Sequence, residues 1–199
     1  MAARYWVGGT NTWDATVGLK WALTSGGIGG QAVPTSSDTV FFDANSGANT
    51  ITLGINADCF SLTTTGYTGT LAFGTFKISI AGTGTPFTQA TTMTVTGTPV
   101  IDITNSTASN VIVSVTSVLA ANAISFNIIA GSYNFANTNI AAIKNLNFTG
   151  FSGTWTNTSS TIYGDLTLSS TMTLTAGTAE IRSTHILLRA IALPAIAAV

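Results

Sequence analysis

From residue 50 onward the chain is written in short alternating runs. Thr50-Ile51-Thr52-Leu53, Lys77-Ile78-Ser79-Ile80, Met93-Thr94-Val95-Thr96, Val100-Ile101-Asp102-Ile103-Thr104 and Val111-Ile112-Val113-Ser114-Val115 begin the series. Ile124-Ser125-Phe126-Asn127-Ile128, Leu146-Asn147-Phe148, Asp165-Leu166-Thr167-Leu168 and Met172-Thr173-Leu174-Thr175 continue it. Apolar residues at every second position turn one face inward and leave a Thr/Ser/Asn face outward, which is the period of a β-strand. Threonine suits this pattern because it is β-branched yet hydrophilic. Before about residue 180 no segment carries a helical period, so the expectation is an all-β chain.

Strands recur about every 8–12 residues with Gly, Asn or Ser at the joints, a spacing shared by sandwiches, barrels and β-helices. An internal repeat narrows the choice. Leu62-Thr63-Thr64-Thr65-Gly66-Tyr67-Thr68-Gly69-Thr70-Leu71 matches Leu146-Asn147-Phe148-Thr149-Gly150-Phe151-Ser152-Gly153-Thr154-Trp155, and Thr92-Met93-Thr94-Val95-Thr96 echoes Thr171-Met172-Thr173-Leu174-Thr175. Self-similar text is the mark of a stacked architecture, in which each unit buries its face against its neighbours. Two arms roughly 80 residues apart would each hold several coils. The expected fold is a right-handed parallel β-helix (solenoid), with a β-sandwich as the alternative.

Two segments differ in style. Residues 1–49 carry Trp6, Trp13 and Trp21 with the pairs Gly8-Gly9, Gly26-Gly27 and Gly29-Gly30, and predict a small Trp/Gly-rich β module that ends in a strand at 39–42. Residues 50–182 form the solenoid. Residues 183–199 lose Thr and Gly in favour of Ala, Ile and Leu, and are expected to be an apolar C-terminal cap or tail.

Composition explains how such a stack tolerates itself. Of 199 residues, 45% are hydrophobic but only 7% are charged, against roughly a quarter in an ordinary globular protein. Identical strand positions in a stack lie about 4.8 Å apart, where like charges repel and Thr or Asn ladders hydrogen-bond. The formal net charge is −1 and the six basic residues are scattered, so nucleic-acid and anionic-membrane binding are not expected. Cys59, the single cysteine, precludes an internal disulfide and reads as a buried small hydrophobe. No apolar run reaches the roughly 18 residues of a membrane helix. No apolar stretch follows Arg4, so no secretory signal peptide is expected.

Candidate chemistry is sparse. The acids are Asp14, Asp38, Asp43, Asp58, Asp102, Asp165 and Glu180. Asp38 and Asp43 are expected on opposite sides of a strand, Asp102 as a lone outward residue, and Asp58 and Asp165 at turns. His185, the single histidine, sits in the apolar tail, and no Gly-x-Ser-x-Gly elbow is present. The segment 43–49 offers oxygen ligands at alternate positions but lacks the downstream Glu of a calcium loop, which favours an Asx-rich turn. No catalytic, cofactor or metal residues are assigned. Tyr5, Trp6, Trp13 and Trp21 are the candidate contacts for a glycan or partner, because aromatic faces pack on sugar C–H faces; filling a small core is their other use.

The opening text supports a family comparison. Trp6-Val7-Gly8-Gly9-Thr10-Asn11-Thr12-Trp13-Asp14, Trp21-Ala22-Leu23-Thr24-Ser25-Gly26-Gly27 and Val33-Pro34-Thr35-Ser36-Ser37-Asp38-Thr39-Val40-Phe41-Phe42-Asp43 together resemble the module at the head of β-helical surface proteins of tailed, especially environmental, bacteriophages. Similar text begins repeats in autotransporter-like adhesins. The resemblance covers the first fifty or so residues, and the Thr-rich remainder in style only. It departs at Lys20-Trp21, where Asn-Trp is common, and in the C-terminal tail. It implies a structural or adhesive role on a virion or cell surface; with no signal peptide expected, the expectation is a non-enzymatic structural protein on a virion surface: a tail fibre or spike segment, or a head decoration. Its implied partners are other virion proteins, further copies of itself (a trimer above all) and a host-surface glycan. The alternative is a bacterial surface adhesin or glycan-binding repeat.

Overall fold

The computed structural model describes residues 1–182 apart from 108, 118, 139, 140, 158, 176 and 177; the expected tail 183–199, with His185, lies outside the described residues. Strands stack in parallel into a β-solenoid of three sheets. Sheet A contains β1 (Ala3–Trp6), β3 (Trp21–Ala22), β4 (Thr39–Phe41), β7 (Ser61–Thr63), β10 (Gly84–Gln89), β13 (Val111–Val115), β15 (Asn134–Thr138), β17 (Thr154–Asn157) and β20 (Thr173–Thr175). Sheet B holds β2 (Asn11–Trp13), β5 (Thr50–Leu53), β8 (Thr70–Ala72) and β11 (Thr94–Thr96). Sheet C holds β6 (Ala57–Cys59), β9 (Ile78–Ile80), β12 (Val100–Ile103), β14 (Ile124–Ile128), β16 (Ala141–Asn147), β18 (Ser159–Ile162), β19 (Leu166–Thr167) and β21 (Thr178–Ile181). This is the expected right-handed β-helix, and the parallel pairing of successive coils rules out the sandwich.

Alternation along each strand builds the core. Val40, Leu62, Phe87 and Val113 stack inward on sheet A, Ile51, Leu71 and Val95 on sheet B, and Ile78, Ile101, Phe126 and Leu146 on sheet C. All of these are buried. Residues 1–49 belong to the same ladders: β1 pairs with β4, and β2 with β5, both in parallel. Among the described strands only β3 runs antiparallel, covering the outer edge of β1 through Tyr5↔Ala22 and Trp6↔Trp21. A short strand laid across an open edge removes a template for further pairing.

Coil length changes along the axis. Val40 to Leu62 is 22 residues, Leu62 to Phe87 is 25 and Phe87 to Val113 is 26. Phe135 to Trp155 is 20 and Trp155 to Leu174 is 19. The shortening follows the end of sheet B at β11. In the next coil a 3₁₀ turn, Ala120–Asn122, takes the place of another B strand. Its Asn122 Oδ1 accepts from Val95 N at 3.1 Å, and its carbonyl accepts from Gln89 Nε2 at 3.1 Å. Among the described residues sheet B has no strand after β11, and later strands belong to sheets A and C.

The internal repeat proves to be a corner, used at two different corners of the solenoid. Residues 62–71 lead from sheet A to sheet B, whereas 146–155 lead from sheet C to sheet A. Both turn through a glycine of positive φ, Gly66 at 84° and Gly150 at 86°. Both bury the following aromatic ring, and its amide closes the turn: Tyr67 N to Thr64 O at 3.1 Å, Phe151 N to Phe148 O at 3.0 Å. The second glycine, Gly69 or Gly153, presses on the preceding coil. A Cβ there would stand 2.1 Å from Asn49 O or 2.0 Å from Tyr133 O. Met93 and Met172, the second echo, fill the same corners one coil later.

Candidate functional site

The aromatic cluster at the N-terminal end forms the first coil's core. Trp6, Trp13 and Trp21 are fully buried, and Phe42 completes the group. Trp21 meets Trp6 and Trp13 edge-on, each with centroids 5.0 Å apart. Such pairs contribute about 0.5–1.5 kcal/mol beyond the area they bury. None of the three indoles presents a face to solvent in this structure; they fill the core, the other use expected of them. Tyr5 points outward, half-buried, and stacks on Phe41 with centroids 4.5 Å apart and planes 12° from parallel.

The acidic residues are mostly committed to local structure. Asp14 pairs with Lys20 Nζ at 2.6 Å and also accepts from Thr16. The Lys20 hydrogen bond, followed by that of Thr16, lowers its pKa to about 2. Asp38 is buried; desolvation alone would raise its pKa, but donors from Thr35 and Ala2, with Arg4 nearby, outweigh it and hold the carboxyl below its usual range. Asp43 caps the 3₁₀ turn Ala44–Ser46 and accepts from Asn45 N and Ser46 N, the Asx turn expected of 43–49. Asp58 lies in the middle of strand β6, facing outward and exposed, and not at a turn. Cys59 beside it is fully buried, and desolvation pushes its thiol well above the ordinary range. Among the described residues no three His, Cys, Asp or Glu side chains gather as for a metal ion.

The outer face of sheet C gathers the remaining polar chemistry. Register places Asp58, Ser79, Asp102, Asn127, Asn147 and Thr167 in one outward column. Asp102 faces outward as expected, but it is neither exposed nor alone. Lys77 Nζ contacts its Oδ2 at 2.5 Å and Asn127 Nδ2 donates to its Oδ1 at 2.8 Å. Only 2% of Asp102 is exposed. Asn147 Nδ2 extends the ladder to Asn127 Oδ1 at 3.4 Å.

Beside this column the sheet opens. Between Ile124 and Phe126 strand β14 has one residue, Ser125; opposite, β16 has two, Lys144 and Asn145. In the next coil three residues, Tyr163, Gly164 and Asp165, separate Ile162 from Leu166. The bulges stack, each one residue wider than the last. Asn145 stitches them together, donating through Nδ2 to Ser125 Oγ at 3.2 Å and accepting from Asp165 N at 2.8 Å. A Cβ at Gly164 would stand 2.1 Å from Asn145 Oδ1 and 2.7 Å from the Lys144 carbonyl oxygen. A cleft of about 390 Å³ results, lined on one side by Lys144, Asn145, Tyr163 and Gly164 and on the other by Val95, Gly97, Pro99 and the alanines around the 3₁₀ turn. Its size falls in the range of small-ligand sites.

No protein family, curated protein or solved structure matches the chain.

Proposed function

We propose that this protein is a non-enzymatic structural component of a bacteriophage virion surface, a tail fibre or spike segment or a head decoration. Its work is assembly. The carrying observation is one hydrophobic core of inward ladders from Trp6 to Met172, enclosed by outward Thr, Ser and Asn columns that bear few charges. Such a stack makes a stiff rod whose repeating backbone bonds run along its axis. The opening segment supports the reading twice: its text resembles the phage module, and its strands form the first coil. Other virion proteins and further copies of the chain, as a trimer, are the proposed partners.

A bacterial surface adhesin is the second reading, favoured by the cleft at Lys144 and Tyr163, which a purely structural rod does not need. Mass spectrometry of gradient-purified particles after labelling with a membrane-impermeant amine reagent separates the two. The virion proposal expects peptides of this chain in the particles, with surface lysines labelled. Its absence from particles and recovery in cell-envelope fractions would overturn it.

A further inference from the structure

We infer that the stacked-bulge cleft on sheet C is a binding site for an acidic saccharide, a sugar bearing a carboxylate. The proposal deepens the attachment part of the virion reading and rests on the chain being displayed outside a particle or cell.

Three features converge on this ligand. The first is the mode of construction. Bulges re-aim side chains out of the regular pleat, and here two register changes at one place carry Lys144, Asn145 and Tyr163 to the rim of one concavity. A regular three-sided coil would have filled that space with another B strand; the 3₁₀ turn leaves it open. The second is charge. Lys77 and Lys20 are each paired with a carboxylate, whereas Lys144 is exposed and makes no ion pair among the described residues. The neighbouring Asp165 does not line the cleft. In a chain with so few charges, an unpaired cation at a concave site favours an anionic ligand.

The third feature is the mixture of surfaces. The Tyr163 ring and the Pro99, Ala120, Ala121 and Ala123 wall are apolar, which suits the C–H face of a pyranose. Asn145 and the phenol of Tyr163 supply neutral polar groups for hydroxyls. A nucleotide or phospholipid headgroup would call for several cations or a run of backbone N–H groups, and the lining offers one ammonium. A single carboxylate on a sugar matches one lysine, one aromatic face and one amide.

The test is direct binding of purified chain to galacturonic acid and to its neutral counterpart, galactose, by ligand-observed NMR and calorimetry. The inference expects measurable binding of the acid and at least about tenfold weaker binding of the neutral sugar. Lys144→Ala should weaken binding of the acid by about tenfold or more, Lys144→Arg should retain most of it, and Tyr163→Ala should weaken both sugars. Because Lys144 is exposed, Lys144→Ala keeps the wild-type far-UV spectrum and melting temperature; a variant failing that check is replaced by Lys144→Gln. Equal affinity for acid and neutral sugar, unchanged affinity in Lys144→Ala, or no binding of either sugar would overturn the inference. These outcomes are independent of particle labelling, so the cleft can fail while the virion assignment stands, and the reverse.

Discussion

Lys77 Nζ stands 2.5 Å from Asp102 Oδ2 across one coil of the solenoid, on the outer face of sheet C. The carboxylate is covered while the lysine remains partly in water. Removing the ammonium leaves a shielded carboxylate with Asn127 as its partner. Lys77→Met is therefore expected to cost about 1–3 kcal/mol, read as a lower urea midpoint with an unchanged slope. An unaltered midpoint would mean that solvent satisfies Asp102 as well as Lys77 does.

The two corner glycines are expected to be intolerant of any side chain. At Gly69 and Gly153 an added Cβ meets a carbonyl oxygen of the preceding coil, at 2.1 and 2.0 Å, and backbone cannot step aside cheaply. Gly74 has φ of 57° with nothing within 4 Å of its would-be Cβ. Gly74→Ala should then cost about 1 kcal/mol, the left-handed penalty alone, while Gly69→Ala and Gly153→Ala should cost several times more. Thermal melts of the three variants compare these costs, and equal losses would refute the close-approach account.

Asn137 sits fully buried within the core, where Trp155 Nε1 donates to its Oδ1 at 3.1 Å and its Nδ2 donates to Ser160 Oγ at 2.7 Å. Asn137→Ala removes both and creates a cavity. The expected loss is about 2–4 kcal/mol, with a change in Trp155 emission as its indole loses a partner. A loss no larger than that of an exposed Asn→Ala control such as Asn11→Ala would contradict this.

Acid should weaken the N-terminal coil through Asp38. Its folded pKa is lowered, so it contributes stability above the unfolded carboxylate value of about 3.9, and that stability is lost as pH falls through this value toward the folded one. Asp38→Asn should accordingly be less stable than the wild type at neutral pH, with the gap closing below about pH 4. Melting temperatures of both proteins across this range check it; a gap that widens on acidification would reverse the sign.

Much of the fold is legible in the chain because strand alternation is local. The runs at 50–53, 111–115 and 124–128 became β5, β13 and β14 with the expected faces inward. The repeat of 62–71 in 146–155 pointed to stacking, but its meaning was a corner, and nothing local says which two sheets a corner joins. Trp6, Trp13 and Trp21 carried the right chemistry for a sugar platform, yet burial depends on the coil above and on β3 folding back, both non-local. The cleft was invisible for a related reason. Lys144, Asn145, Tyr163 and Gly164 form no motif; only the register between three successive coils brings them together. Asp102 likewise reads as a lone outward acid until Lys77 and Asn127 are stacked on either side of it.

The assignment to a particle exterior is tested most directly by immunogold electron microscopy, with antibody raised against residues 1–182 and applied to both particles and cells of the source culture. The account predicts gold on heads or tails of intact particles. Gold confined to cell envelopes, with bare particles in the same field, would contradict it.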